Sequence, residues 1–133
     1  MVNNTPLPIG SIKYKTSRDR WLIKVKEHPT KYKKDNWEDC NRYFYKQYYG
    51  EIPKGYVIYN LDCDKSNWSK ENLIAIPKSV ACSIYNMSMN YGINIFKNKE
   101  LFNACLEINY AEQMAKELFN VKKKIHRRNK TPL

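Results

Sequence analysis

Histidine is nearly missing from this chain, with two among 133 residues, His28 and His126. Neither stands at ligand spacing from another histidine or from a cysteine pair, so a structural zinc site is not supported. Cys40, Cys63, Cys82 and Cys105 include no Cys-x-x-Cys pair and read as free thiols of a reducing compartment. No run of about 18 apolar residues occurs, which removes a membrane span. The opening MVNNTPLPIG lacks the basic start and apolar core of a secretory leader, and none is expected. Acid is scarce beside base, 13 Asp and Glu against 24 Lys and Arg.

The net charge is therefore +11 and the sequence pI about 9.5. Such an imbalance repels itself unless it meets a polyanion, and nucleic acid, bound by releasing counterions from phosphates, is the default partner. The residues are 42% hydrophobic and 14% aromatic, which excludes a disordered chain and suits one domain with a modest core. Eleven Tyr stand against four Phe. Tyrosine adds core area while keeping a hydroxyl for water or phosphate, although AT-rich coding would give the same bias.

Residues 1–10 hold Pro6, Pro8 and Gly10 and read as an extended arm. Ser11 to Tyr14 and Trp21 to Lys26 read as a β-hairpin turning at Thr16 to Asp19. Alternation puts Trp21, Ile23 and Val25 on one face and Leu22, Lys24 and Lys26 on the other, a basic face suited to a phosphate backbone. His28 to Asp35 (HPTKYKKD) is a basic loop, either phosphate-contacting or simply solvated. Asn36 reads as a helix N-cap with Glu38 and Asp39 in the first turn, and Trp37, Phe44 and Tyr48 keep helical spacing as far as Gly50. That stripe is expected beneath the hairpin.

The stretch Gly55 to Asn86 carries the organisation of the chain. Tyr56 to Leu61 reads as a strand, Asp62 to Glu71 as a polar loop and Asn72 to Ile76 as a second strand. Pro77 suits the first position of a helix, whose apolar stripe is Val80, Ile84, Met87 and Tyr91. Asp62-x-Asp64-x-Ser66 suggests a calcium loop but fails as one, with Leu73 where a bidentate Glu is needed and Asn67 in place of glycine. Asp62, Ser66 and Asn67 read instead as side chains that bond local backbone, with Asn72 tying the loop to the strand. Trp68 is a loop plug or a base-stacking platform. A last helix, about 99–127, places Leu101, Cys105, Ile108, Ala111 or Glu112, Ala115, Leu118 or Phe119, and Ile125 on roughly one face, and 128–133 form a basic tail. The expected fold class is α+β in a single domain: hairpin and helix over 11–50, a ββα unit over 55–91 and the long C-terminal helix.

Gly55, Val57, Ile58, Leu61-Asp62, Asp64-Lys65, Asn67 and Glu71-Asn72-Leu73, followed by a strand and helix, resemble the HNH endonuclease motif, the ββα-metal finger of bacteriophage genomes and mobile introns. WLIKVKEHPTKYKK, Asn41-Arg42-Tyr43 and GEIPKGYV extend the resemblance to a phage subgroup over about residues 10–125. It implies a histidine that deprotonates water and a divalent ion that stabilises the leaving oxygen. The motif's paired histidines fall on Tyr59-Asn60 and its helix histidine on Ala81. Alternative histidine places of the subgroup fall on Asn41, Tyr49 and Tyr56. Asn60, Asp62 and Asn72 are left as the candidate catalytic positions, with Mg²⁺ the ion suited to their oxygens.

The resemblance and the charge together lead to an expected degenerate HNH protein of a phage, in the cytoplasm of a bacterial host, that binds DNA and has lost or weakened cleavage. Lys24, Lys26, Lys31, Lys33, Lys34, Lys65, Lys78, Lys122, Lys123, Lys124, Arg127 and Arg128 are its candidate phosphate contacts. Two alternatives stand beside it: an anti-defence inhibitor bound to a host CRISPR or restriction complex, and an active Mg²⁺-dependent nicking enzyme with atypical ligands.

Overall fold

The computed structural model describes residues 7–27 and 36–129, with side chains as far as Arg127. The loop cations Lys31, Lys33 and Lys34, most of the arm, the Arg128 side chain and the end of the basic tail lie outside the described residues. The chain separates into two compact units, Met1–Ala81 and Cys82–Leu133. The mixture of strands and helices is the α+β class expected.

In the first unit, β1 (Ile12–Lys15) and β2 (Arg20–Lys24) form the hairpin, with Ile12 opposite Ile23 and Lys15 opposite Arg20. The turn is a short 3-10 helix, Thr16–Arg18, ended by Asp19 at φ 49°. Aspartate tolerates that left-handed conformation better than most residues. A third strand, β3 (Trp37–Asp39), then pairs antiparallel with β2, Leu22 opposite Asp39 and Lys24 opposite Trp37. This corrects the expected helix start at Asn36. The helix α1 (Cys40–Tyr49) begins only after β3, capped by Asp39, whose Oδ1 accepts from the Asn41 N–H at 2.9 Å. Acidic residues are poor strand formers. Here Arg20 meets Asp39 at 3.7 Å, Lys46 pairs with Glu38, and the Lys13 ammonium sits 3.9 Å from the Trp37 ring centre. These cations lie on other elements, so local propensity does not reveal them.

Strands β4 (Tyr56–Asn60) and β5 (Leu73–Pro77) pair antiparallel, Tyr56 opposite Pro77 and Asn60 opposite Leu73. Pro77 therefore closes the strand, and α2 (Lys78–Tyr91) starts one residue later than expected. Gly55, at φ 83°, enters β4 in a conformation that only glycine adopts freely, and its carbonyl accepts from the Lys78 N–H at 2.9 Å. Ile23, Cys40, Leu73 and Ile76 are buried. Lys24 corrects the reading of the hairpin's basic face: it is only 5% exposed, and its ammonium donates to the Leu7 carbonyl at 2.6 Å and to Glu27 at 2.9 Å. Residues 7–11 turn back over β2, with the Gly10 N–H on the Lys24 carbonyl and the Lys24 N–H on the Ser11 carbonyl, both at 2.9 Å. An ammonium covered in this way has to be given acceptors within the fold.

The second unit holds most of α2, a 3-10 turn at Ile95–Lys97, and α3 (Lys99–Asn129). Asn98 caps α3, its side-chain oxygen accepting from the Leu101 N–H at 3.1 Å. Ile84, Ile95, Phe102, Cys105 and Leu106 are buried, the Cys105 and Met87 sulfurs lie 3.6 Å apart, and the Ile95 N–H is held by Ser88 Oγ at 3.2 Å. Two expectations are corrected. Tyr91 is 74% exposed, and the buried face of α3 runs through Phe102, Cys105 and Leu106 while Leu101 and Ile108 face outward. No helix among the described residues is long and apolar enough to cross a membrane.

Candidate functional site

The expected catalytic positions lie at one end of the β4–β5 pair. Because Asn60 stands opposite Leu73, the loop 61–72 leaves and re-enters the sheet at neighbouring points, and Asn60 and Asn72 arrive side by side. Both are buried. The Leu61 N–H donates to the Asn72 carbonyl at 2.8 Å, and the Cys63 N–H to the Asn60 carbonyl at 2.9 Å. Cys63 takes φ 63° to make that turn, an unusual conformation for a residue other than glycine, asparagine or aspartate.

Every polar atom of the Asn60 and Asn72 side chains has a partner. Asn60 and Asn41 exchange two amide hydrogen bonds, 2.7 and 3.1 Å, and Asn60 Nδ2 also reaches the Asn67 carbonyl at 3.0 Å. Asn72 Oδ1 accepts from the Asp62 N–H at 3.0 Å, while its Nδ2 donates to Asp62 Oδ1 at 2.9 Å and to the Asn67 carbonyl at 3.0 Å. Asp62 Oδ1 accepts in addition from the Asp64 N–H at 2.9 Å, and Oδ2 from Asn67 Nδ2 at 2.7 Å. Asp64 Oδ1 in turn takes the Ser66 N–H at 2.9 Å and its hydroxyl at 2.6 Å. The loop is a closed amide and carboxylate network: Asp62, Asn67 and Asn72 tie local backbone as expected, whereas the Ser66 hydroxyl goes to the Asp64 carboxylate and it is Asp64 that holds the Ser66 N–H.

Asp62 sets the charge of the site. Burial pushes its carboxyl up, but the bonds from Asn67, the Asp64 N–H and Asn72 outweigh this and hold it below the usual carboxylate range. A carboxylate held low is a weak base. Burial, followed by the Asp62 charge, pushes the Cys63 thiol up and keeps it neutral. Tyr59 is paired opposite Ile74 within the sheet, and Ala81 offers only a methyl group on the first turn of α2. Tyr49 donates its hydroxyl to the Lys70 carbonyl at 2.6 Å, and Tyr56 lies at the far end of β4. None of these positions supplies an imidazole.

A resident divalent ion does not fit this donor set as it stands. Mg²⁺ takes oxygen ligands in near-octahedral geometry. The one central carboxylate has hydrogen bonds on both oxygens, and the amide oxygens of Asn60 and Asn72 already accept from Asn41 and from the Asp62 N–H. Among the described residues no group of three or more His, Cys, Asp or Glu is placed to hold a metal.

Trp68 plugs the loop. Its ring stacks on Phe44 of α1 at 5.3 Å and 13°, meets Trp21 of β2 edge-on at 6.0 Å, and its indole N–H donates to the Lys65 carbonyl at 2.9 Å. Lys65 reaches back to the hairpin turn, 2.7 Å from Asp19 Oδ2. Of the expected phosphate contacts, Lys26, Lys78, Lys122, Lys123, Lys124 and Arg127 are exposed, Lys65 is exposed but ion-paired, and Lys24 is turned inward. Sequence reasoning left Asn41 and Asn67 out of the site. Their signal is the motif itself, where amide-bearing residues recur at the places that close the loop.

Comparison with known proteins agrees with this geometry. Neither the curated proteins nor the solved structures compared contain a match to the chain. A family model described as HNH endonuclease matches residues 41–81, from the asparagine that pairs with Asn60 to the first turn of α2. That span holds most of α1, β4, the bonded loop, β5 and the start of α2, and over it the chain is similar to the HNH endonuclease family.

Proposed function

We propose that this protein is a DNA-binding member of the HNH type, of phage or mobile-element origin, whose centre holds the loop in place and cleaves poorly or not at all. The observation that carries this is the saturation of Asn60, Asp62 and Asn72 by one another, by Asn41 and by Asn67. Hydrolysis of a phosphodiester needs a base that can take a proton from water near neutral pH. The motif's catalytic positions offer amides, phenols, a methyl group and, in Asp62, a carboxylate held low, and the chain's two histidines, His28 and His126, lie outside the segment.

What supports DNA as the partner is the HNH-type scaffold together with a net charge of +11 and the exposure of Lys122, Lys123, Lys124 and Arg127. These cations would contact phosphates and position the protein without reading sequence. The test is a plasmid nicking assay with Mg²⁺ and with Mn²⁺, run beside Asn60→Ala and Asn72→Ala and paired with gel shifts over a salt series. The expected result is no metal-dependent nicking and a DNA complex that dissolves at high salt. Nicking abolished by both substitutions would overturn the loss of cleavage. Absence of DNA binding, with tight capture of a purified host defence complex that competitor DNA does not disturb, would move the reading to an anti-defence inhibitor.

A further inference from the structure

The long helix α3 carries two apolar faces, and only one is used. Phe102, Cys105 and Leu106 are buried within its own unit. On a separate face Leu101, Ile108, Leu118 and Ile125 are 37, 51, 59 and 54% exposed, with exposed Ala104, Ala111, Ala115 and Lys122 between them. The eight positions alternate in steps of three and four along the whole helix. At 3.6 residues per turn this seam borders the buried face at its N-terminal end, where Leu101 and Ile108 lie one turn from Cys105, and drifts away from it toward Ile125. A strict spacing of this kind is the a/d seam of a left-handed coiled coil, which requires a second helix.

We infer that the occupant is the α3 of a second copy of this chain, running antiparallel. The sequence of the seam is complementary to its own reverse. With the two-fold axis beside Gln113, Leu101 meets the partner's Ile125, Ala104 meets the partner's Lys122, Ile108 meets the partner's Leu118, and Ala111 meets the partner's Ala115. Large side chains thus face large ones at both ends, small face small in the middle, and the one charged seam residue lies opposite an alanine that leaves its stem room to reach water.

Charge selects the direction. Lys122, Lys123, Lys124 and Arg127 crowd the C-terminal end of the helix, and Glu100 and Glu107 lie in its N-terminal part. A parallel pair would set Lys122 against the partner's Lys122 and Glu107 near the partner's Glu112. The antiparallel pair brings each basic end to the end that carries Glu100 and Glu107. This interface is independent of the loop network, but it shares Lys122 and its neighbouring cations with the proposed phosphate contacts, so it is tested without nucleic acid.

Nuclease-treated protein, free of nucleic acid, is examined by sedimentation equilibrium at micromolar concentrations. The expected mass is twice 15.9 kDa. Leu118→Glu places a carboxylate in two symmetric layers and is expected to return the mass to that of one chain with an unchanged circular dichroism spectrum, since Leu118 is exposed within the single chain. In a Cys82→Ser background, Met114→Cys lies beside the antiparallel axis and is expected to form the intermolecular disulfide readily, whereas Leu118→Cys, which faces itself only in a parallel pair, is not. A wild-type mass of 15.9 kDa at 100-fold higher concentration, a dimer indifferent to Leu118→Glu, or efficient cross-linking through Leu118→Cys alone would each overturn the proposal.

Discussion

Asn72 makes three hydrogen bonds from a buried amide, two of them to the Asp62 residue and one to the Asn67 carbonyl. Removing it leaves the Asp62 N–H without its acceptor, while the Asn67 carbonyl keeps Asn60 Nδ2 and Asp62 Oδ1 keeps the Asp64 N–H; a polar group left unsatisfied in the interior costs about 1–3 kcal/mol. Asn72→Ala is expected to lower stability by about that amount, read from urea unfolding, while leaving salt-dependent DNA affinity within about twofold. Asp62 gives a pH signature. Its carboxyl is held low in the fold, against about 3.9 when unfolded, so its stabilisation is complete above about pH 4 and is lost as pH falls through the folded value. The difference in melting temperature between wild type and Asp62→Asn is expected to be largest at pH 7 and to shrink toward pH 2. A difference that stays constant across that range would contradict the assignment.

At the scale of elements, the loop 61–72 is held from three sides: by β4 and β5 through Asn60 and Asn72, by α1 through Asn41 and Phe44, and by the hairpin through Trp21 and Asp19. Trp68 joins two of these sides, and its ring contacts cannot be replaced by a smaller side chain. Trp68→Ala is expected to destabilise the first unit by about 2–4 kcal/mol, toward the lower part of the range for fully buried aromatics because the indole is only half-buried. Hydrogen exchange should show faster opening of the amides of Leu61, Cys63 and Asn67, whereas those of the second unit should not change. Protection that is unchanged in the loop would mean that Trp68 lies on the surface without closing anything.

At the scale of the whole molecule, the 24 basic and 13 acidic residues are spread over both units, and some of the cations are already paired with acids of the fold. Lys24 is committed to Glu27, Lys46 to Glu38 and Lys65 to Asp19. Charges spent in this way release no counterions, so the salt response should follow the exposed set. Neutralising about four phosphates gives a log-log slope near −3.6. Replacing Lys122, Lys123 and Lys124 together with alanine is expected to flatten that slope by about 2–3, whereas Lys24→Met should leave it unaltered; fluorescence anisotropy over a salt series measures both.

The sequence by itself determined the parts in which neighbours along the chain decide the outcome. The order strand, polar loop, strand, helix over 55–91, the long C-terminal helix, and the loop roles of Asp62, Asn67 and Asn72 were all legible, because β-branched runs, Asx side chains and glycine at φ 83° act within a few residues. Only the tertiary structure decided what depends on partners distant in sequence. The third strand Trp37–Asp39 exists because Arg20, Lys13 and Lys46 come to it from other elements, and Lys24 is inward because residues 7–11 fold back and Glu27 receives it. Asn41 enters the centre only because α1 carries it to Asn60, and the face of α3 that is buried was set by the turn at Ile95–Lys97 packing Phe96 against Phe102. Periodicity shows that a helix has apolar positions, but which of them are buried depends on the surface packed against the helix, here Phe96 and Ile95 of the preceding turn.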